Sequence, residues 1–181
     1  MAITKIQSES LNLADTYDFT GTVTGAGGTF SPRFSAYLSA NQSISNSTET
    51  KISLNTEVFD EGGCFNNTGS TVTLNGISTP AYSFAPNVAG TYVFGFKSNF
   101  QTDANHYSIL YLYKNTNLLI ENQYYNELGN NRPSNATMIT SMNGTSDYVY
   151  IACWQNSGSA KNLYGTVIRN TNFYGYLLKA D

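Results

Sequence analysis

The chain is poor in charge, and this shortage excludes several classes of function. Its 181 residues contain 9 Lys and Arg, 12 Asp and Glu and 1 His, so charged residues make up 12%, about half of their usual share. The basic residues are scattered and the net charge is −3, which argues against nucleic acid because phosphate binding needs clustered Lys and Arg. No segment approaches the ~20 apolar residues of a membrane span. The first ten residues contain no apolar core of a signal peptide, so we expect no secretory signal.

Residues for metal, cofactor and covalent chemistry are also few. Cys64, Cys153 and His106 lack metal-ligand spacing, and no calcium-loop motif occurs, so no metal or cofactor is predicted. No nucleophile motif accompanies His106, which we interpret as a loop or edge residue. The acidic residues are too dispersed to indicate a catalytic pair, so the chain is predicted not to be an enzyme. For the cysteines we expect two buried free thiols, with a disulfide as the alternative.

Aromatic and turn-forming residues take the place of charge. Asn, Ser and Thr together make up about 34% of the chain, and aromatic residues make up 14%, with 14 Tyr and 10 Phe. Thr, Tyr, Phe and Val suit pleated sheets, whereas Asn, Ser and Gly suit turns. This composition excludes a coiled coil and argues against disorder, because the chain has enough apolar surface to bury a core. We therefore predict an all-β protein.

Short alternating segments separated by Gly, Asn and Ser predict many strands and no helix. The predicted strands are 33–39, 51–59, 70–76, 91–96, 107–114, 118–125, 136–143, 148–155 and 174–179. Short strands at close spacing are typical of a β-sandwich or jelly roll. We place this domain, the head, at residues 31–181.

Residues 1–30 are predicted to form an extended N-terminal arm that ends in a Gly/Thr-rich linker. The apolar residues of the arm are too sparse for a helix stripe and cannot form a core alone. They are Ile3, Ile6, Leu11, Leu13, Tyr17 and Phe19. The arm is therefore predicted to attach the chain to another protein.

One predicted strand, at 107–113, is apolar on both faces. The alternation places Tyr107, Ile109, Tyr111 and Tyr113 on one face and Leu110 and Leu112 on the other. A sandwich strand usually has one solvated face, and Tyr is enriched at interfaces. We therefore interpret the second apolar face as a contact with a neighbouring subunit. The alternative is that a loop of the same chain covers it. The predicted trimer interface consists of Tyr107, Ile109, Tyr111, Leu112 and Tyr113.

The single tryptophan, Trp154, alternates with Cys153 in a predicted strand. We interpret Trp154 as a partly buried packing residue. The alternative is a surface platform for a ligand.

Two aromatic motifs indicate a family. Residues 84–96 have the form F-x5-G-x-Y-x-F-x-F, and residues 173–178 have the form F-x-G-x-L-L. Both resemble the C1q-like domain of the C1q/TNF jelly-roll superfamily, over about residues 34–178. We interpret the motif residues as core, with Gly90 at a tight turn or a close approach. These residues are Phe84, Gly90, Tyr92, Phe94, Phe96, Phe173 and Gly175.

The chain departs from the family pattern between Phe65 and Phe84. These residues are 19 positions apart, whereas the family has its preceding aromatic about seven positions before the motif, so about a dozen residues are inserted. The inserted segment, 66–80, is predicted to form an extra hairpin.

The resemblance implies a compact homotrimer, and further segments suggest its setting. Residues 4–8, 19–25, 34–43 and 55–60 resemble virion proteins of tailed bacteriophages that end in C1q-like heads. This implies a non-enzymatic virion protein on the exterior of the particle, with a tail fibre or fibre tip that contacts the host surface as the favoured place. The implied partners are other copies of the chain, other virion proteins through the arm, and a host surface glycan or protein. The alternatives are a capsid decoration or cement protein and a soluble carbohydrate-binding module.

Overall fold

A computed structural model describes residues 31–101, 103–129, 132–166 and 169–181. Those residues form strands, turns and loops and contain no helix, which confirms the predicted all-β class. Within the same ranges, no helix is long and apolar enough to cross a membrane. The predicted arm, with Ile3, Ile6, Leu11, Leu13, Tyr17 and Phe19, lies outside the described residues.

The described residues contain strands that range from two to eleven residues in length. The strands are β1 (Arg33–Tyr37), β2 (Gln42–Ile44), β3 (Thr50–Lys51), β4 (Thr56–Glu61), β5 (Phe65–Asn66), β6 (Val72–Leu74), β7 (Ile77–Thr79), β8 (Ser83–Phe84), β9 (Gly90–Phe100), β10 (His106–Lys114), β11 (Asn117–Asn126), β12 (Arg132–Met142), β13 (Val149–Gln155), β14 (Lys161–Leu163) and β15 (Asn172–Ala180).

All strands except β6 and β7 form two sheets that pack face to face. Sheet 1 has the order β2-β14-β9-β15-β1-β4, with β12 paired along β9. Sheet 2 has the order β11-β10-β13-β8-β5, with β3 paired to β13. Strands distant in sequence lie side by side: β1 pairs with β15, and β10 pairs with β13. Each sheet therefore has an inner face toward the core and an outer face toward solvent.

The predicted strand 51–59 is wrong as a single strand. It consists of β3 in sheet 2 and β4 in sheet 1, with a crossing segment between them. Ile52 and Leu54 of this segment are both fully buried. Their alternation with polar residues imitates a strand, although it results from a chain that passes between the sheets.

The inserted segment forms the predicted hairpin. Strands β6 and β7 pair only with each other, and Asn75 and Gly76 connect them with φ values of 49° and 81°. Two consecutive residues with positive φ are typical of a tight hairpin turn, and Asn-Gly is the preferred pair for it. The Asn75 side-chain amide donates to the Gly62 carbonyl at 2.7 Å, which ties the hairpin to the loop that follows β4.

Aromatic rings join the two sheets in the core. Phe34 of sheet 1 stacks on Phe84 and Phe65 of sheet 2, with ring centroids 4.4 Å and 4.8 Å apart. Phe173 of sheet 1 approaches Phe34 edge-on at 4.9 Å. Both geometries are favourable for aromatic pairs. The four rings form one cluster that holds the sheets together.

The structure places the aromatic signature residues inside the protein. Tyr92, Phe94 and Phe96 point inward along β9 and are at most 2% exposed. Gly90 begins the same strand, and a Cβ atom there would collide with the Lys179 carbonyl oxygen of β15. The constraint at Gly90 is therefore the close approach of a neighbouring strand.

Gly175 and Gly95 give a matched test of this packing. A Cβ at Gly175 would enter the buried Phe94 ring and approach Phe34, whereas the atoms nearest to a Cβ at Gly95 belong to the half-exposed Tyr174 ring, which can turn aside. We expect Gly175→Ala to lower the free energy of unfolding by about 1–3 kcal/mol, and Gly95→Ala to cost less than about 1 kcal/mol. Urea denaturation at one protein concentration measures both. Equal effects of the two substitutions would contradict the assigned packing.

Candidate self-association and binding surfaces

The outer face of sheet 1 carries exposed apolar side chains. Residues of β15, β4 and β12 contribute to it, and their exposed fractions lie between 41% and 56%. Its large members are Phe59, Ile139, Tyr174, Tyr176 and Leu178. The register places Tyr176, Val93 and Ile139 in one row across neighbouring strands. Adjacent side chains on one sheet face are within contact distance, so Tyr176, Val93 and Ile139 form a continuous apolar row. This row and the neighbouring Phe59, Tyr174 and Leu178 are the apolar stripe.

A groove of about 540 Å³ lies beside Phe59, Tyr174 and Tyr176 of this stripe. Ser35 and Gly175 are among its other lining residues. At its edge, Arg33 forms an exposed ion pair with Glu61 at 2.6 Å. The face thus combines an apolar centre with a charged rim, which is a typical composition of protein interfaces.

The opposite end of the same face carries more polar side chains. A cavity of about 310 Å³ is lined there by Lys97, Asn135, Thr137, Asn172 and Tyr174, among others. No hydrogen bond or ion pair joins the Lys97 ammonium group to any described residue. This end of the face therefore mixes polar side chains with Pro133, Ala136 and Tyr174, whereas the large exposed aliphatic residues Ile139 and Leu178 lie at the other end.

The outer face of sheet 2 holds the predicted interface strand. Tyr107, Ile109, Tyr111 and Tyr113 share this face, as the alternation of β10 predicts. Leu112, which we also assigned to the interface, is fully buried in the core instead. That part of the prediction is wrong, because consecutive strand residues point to opposite faces and Leu112 points inward.

Residues of the same chain already pack against the central tyrosines of this face. Tyr113 stacks on Tyr150 with centroids 5.1 Å apart, and its hydroxyl donates to the Glu49 carboxylate at 2.9 Å. The Lys51 ammonium lies 4.1 Å from the centre of the Tyr150 ring and donates to the Ser83 hydroxyl at 2.9 Å. This arrangement corresponds to the alternative prediction, in which the same chain covers the second apolar side of the strand.

The remaining residues singled out in the sequence occupy unremarkable positions. Cys64 and Cys153 are free, buried thiols, and burial raises the pKa of each, so they are protonated at neutral pH. The His106 Nδ1 atom lies 2.7 Å from the Ala104 carbonyl oxygen. Trp154 is partly buried on the outer face of sheet 2. In the part of the chain that the structure describes, no group of three or more His, Cys, Asp or Glu residues could hold a metal ion.

The fold is shared with solved structures, although no protein-family model and no curated protein matches the sequence. The globular domain of zebrafish complement 1qA protein is 18% identical, with a TM-score of 0.59, over 83% of this chain and 99% of that chain. Murine APRIL at pH 5.0 is 10% identical, with a TM-score of 0.52, over 81% and 98%. Eiger TNF from S. frugiperda is 8% identical, with a TM-score of 0.51, over 84% and 94%. The chain therefore has the C1q/TNF-like jelly-roll fold.

The alternation signal missed the sheet 1 stripe. The alternating pattern predicted β15 and part of β4. It does not distinguish an outer face that is solvated from one that binds a partner. The sequence did contain an indication of the stripe. Tyr174, Tyr176 and Leu178 recur at every second position, and they alternate with the residues of the closing motif that point into the core.

Lys51 provides a test of the packing on the outer face of sheet 2. Burial lowers its pKa to about 8, whereas the lysine of an unfolded chain titrates near 10.4. The unfolded state therefore binds more protons between about pH 8 and pH 10.4, and this residue makes stability rise with pH in that range. We expect NMR of ¹³C-dimethylated lysines to show one resonance with a midpoint near pH 8, which Lys51→Met removes. Midpoints near 10.4 for every lysine would contradict this environment.

Proposed function

We propose that the chain is a non-enzymatic structural protein of a bacteriophage particle whose jelly-roll head associates as a homotrimer through the outer face of sheet 1. The observation that carries the proposal is the apolar stripe on that face. The resemblance of the sequence motifs to C1q-like domains supports three as the number of subunits. The resemblance of segments 34–43 and 55–60 to phage virion proteins supports the setting.

The exposed side chains of the stripe favour burial by a partner. Tyr176, Ile139 and Leu178 are each more than two-fifths exposed in the single chain. Complete burial of a large apolar side chain contributes about 1.5–3 kcal/mol. Contiguous apolar patches of this kind are uncommon on monomers and mark interaction sites. A second copy with the same stripe is an apolar partner that is always present.

The strand β10 is the less favourable contact surface. Its central tyrosines, Tyr111 and Tyr113, are partly buried by their own chain, so a partner would remove less apolar area from water. The Tyr113 hydroxyl and the Lys51 ammonium also have partners within the chain. We therefore place the trimer contact on sheet 1. In this trimer the outer face of sheet 2 is accessible to solvent.

A trimer of this kind displays three copies of each surface loop on a rigid scaffold. Loops tolerate variation and carry recognition, and three linked sites bind a multivalent surface much more strongly than one. Residues 1–30 would attach the head to the particle. In this account the head lies on the exterior, on a tail fibre or fibre tip that contacts the host.

Paired substitutions distinguish the two faces. We expect the full chain to sediment at three times 19.8 kDa and Tyr176→Asp to sediment at 19.8 kDa, because a carboxylate in an apolar contact loses its hydration. Tyr107→Asp introduces the same change on sheet 2 and should remain trimeric. Sedimentation velocity measures all three proteins. If Tyr107→Asp sedimented as a monomer and Tyr176→Asp as a trimer, the interface would lie on β10 and not on sheet 1.

The particle setting requires a separate experiment. Immunogold electron microscopy with an antibody to this chain should label the tails or tail tips of intact phage particles. Label spread evenly over the heads would identify a capsid decoration protein instead. Absence of label from every particle would contradict the virion assignment and favour a soluble carbohydrate-binding protein.

A further inference from the structure

We propose that the outer face of sheet 2 binds a neutral saccharide at a tyrosine–amide patch, which consists of Tyr107, Tyr125, Trp154, Gln123 and Asn156. The proposal names a ligand class for the displayed head. It rests on the proposed function for its setting, a trimer with sheet 2 turned outward, although each chain contains the whole patch.

The register of three strands assembles the patch. Tyr125 of β11 lies opposite Tyr107 of β10, and Gln123 of β11 lies opposite Ile109 of β10. Trp154 of β13 lies on the other side of Ile109. Strands about 4.8 Å apart and rows about 7 Å apart give an area of roughly 10 by 7 Å. This area is close to the footprint of one or two sugar rings.

The two tyrosines form an exposed aromatic surface. Tyr107 is 37% exposed and Tyr125 is 40% exposed, and their ring centroids are 4.8 Å apart. The Tyr125 hydroxyl donates to the Asn105 side-chain oxygen at 3.2 Å, which fixes the orientation of that ring. The apolar C–H face of a pyranose packs on exposed aromatic rings of this kind, whose bodies are apolar and whose edges are polar.

Unpaired hydrogen-bond donors lie beside these rings. The Asn156 side-chain oxygen accepts the Tyr107 backbone N–H at 2.7 Å, which directs its amino group away from that bond. Neither this amino group, nor the Gln123 amide, nor the Trp154 indole N–H donates a hydrogen bond within the described residues. None of these atoms is among the buried unpaired groups. They are therefore available to the hydroxyl groups of a ligand.

The charge of the patch favours a neutral sugar. None of its five members is charged, and the next outward residue on β11 after Gln123 is Glu121, opposite Tyr111. The carboxylate of an acidic sugar would approach the Glu121 carboxylate, and like charges repel. No arginine or lysine belongs to the patch to compensate.

A second copy of the chain is a poor occupant for this surface. A stable protein interface buries about 800 Å² on each partner, several times the area of the patch. The adjoining tyrosines already pack against Glu49 and Lys51. An apolar contact would also bury the amide and indole donors without partners, which is unfavourable. A small ligand rich in hydroxyl groups satisfies these donors.

The single tryptophan of the chain permits a direct binding test. The full chain, labelled with ¹⁵N at the indole, gives one indole resonance from Trp154. The probes are the neutral disaccharides lactose, maltose, cellobiose and diacetylchitobiose, with N-acetylneuraminic acid as the acidic comparison. We expect at least one neutral disaccharide to shift this resonance saturably below about 50 mM, a range that corresponds to weak single-site binding.

Three variants assign the binding to the patch. Tyr125→Ala and Gln123→Ala should each weaken binding about tenfold, which is the effect of losing one good contact. Tyr148→Ala removes a tyrosine at the opposite end of the same face and should leave binding unchanged. An indole resonance that stays away from its position in the urea-denatured chain shows that each unliganded variant is folded.

Several outcomes would overturn the proposal. These are no shift with any neutral disaccharide, a shift with N-acetylneuraminic acid alone, or equal weakening in Tyr148→Ala. An indole shift that depends on protein concentration without sugar would identify a second copy as the occupant. Sedimentation of the same samples reports the trimer separately, so failure of saccharide binding is distinguishable from failure of the proposed assembly.

Discussion

The structure depends on the stack that Phe34 makes across the core. This ring belongs to sheet 1 and lies on Phe65 and Phe84 of sheet 2. The contact is possible because Gly175, beside it on β15, leaves room for Phe94 and Phe34. These rings set the spacing of the two sheets, and the outer faces of both sheets are built on this packed core. A surface built on a packed core binds with little loss of conformational freedom, which suits the contact functions that we propose.

The two outer faces differ in chemistry, and this difference separates their proposed roles. The sheet 1 stripe combines aliphatic and aromatic side chains such as Ile139, Leu178 and Tyr176, which gain most from exclusion of water. The sheet 2 patch combines tyrosines with the amides of Gln123 and Asn156, which gain most from a ligand that forms hydrogen bonds. In the proposed trimer, assembly through the sheet 1 stripe leaves the sheet 2 patch available on each subunit.

Much of the fold could be predicted because its strands alternate and its motifs are specific. The segments around Tyr92 and Tyr111 have clear period-two patterns, and the Asn75-Gly76 turn has the residues that its backbone demands. The strands β2, β5, β8 and β14 contain two or three residues each, too few to show alternation. The segment around Ile52 and Leu54 shows alternation without a strand, because these two side chains are buried in the core as the chain crosses between the sheets, whereas Ser53 and Asn55 face outward.

The surfaces were harder to predict than the core, for a physical reason. Alternation divides strand residues into two sets but does not identify what covers the outward set. Tyr113 and Tyr176 look alike in sequence, yet Tyr113 packs against Glu49, which precedes it by 64 residues, and Tyr176 remains exposed. The assignment of Leu112 to the interface is wrong because the alternation of β10 turns this side chain into the core. Only the long-range pairing of strands separates these cases.

Hydroxyl-radical footprinting of the assembled full chain tests the central claim most directly, because it compares both faces in one sample without substitutions. The account predicts that Phe59, Tyr174 and Tyr176 are protected from oxidation relative to their exposure in the single chain. Tyr107 and Tyr125 should be oxidised at the rate of exposed tyrosines. Protection of Tyr107 and Tyr125 together with oxidation of Tyr174 and Tyr176 would contradict the account.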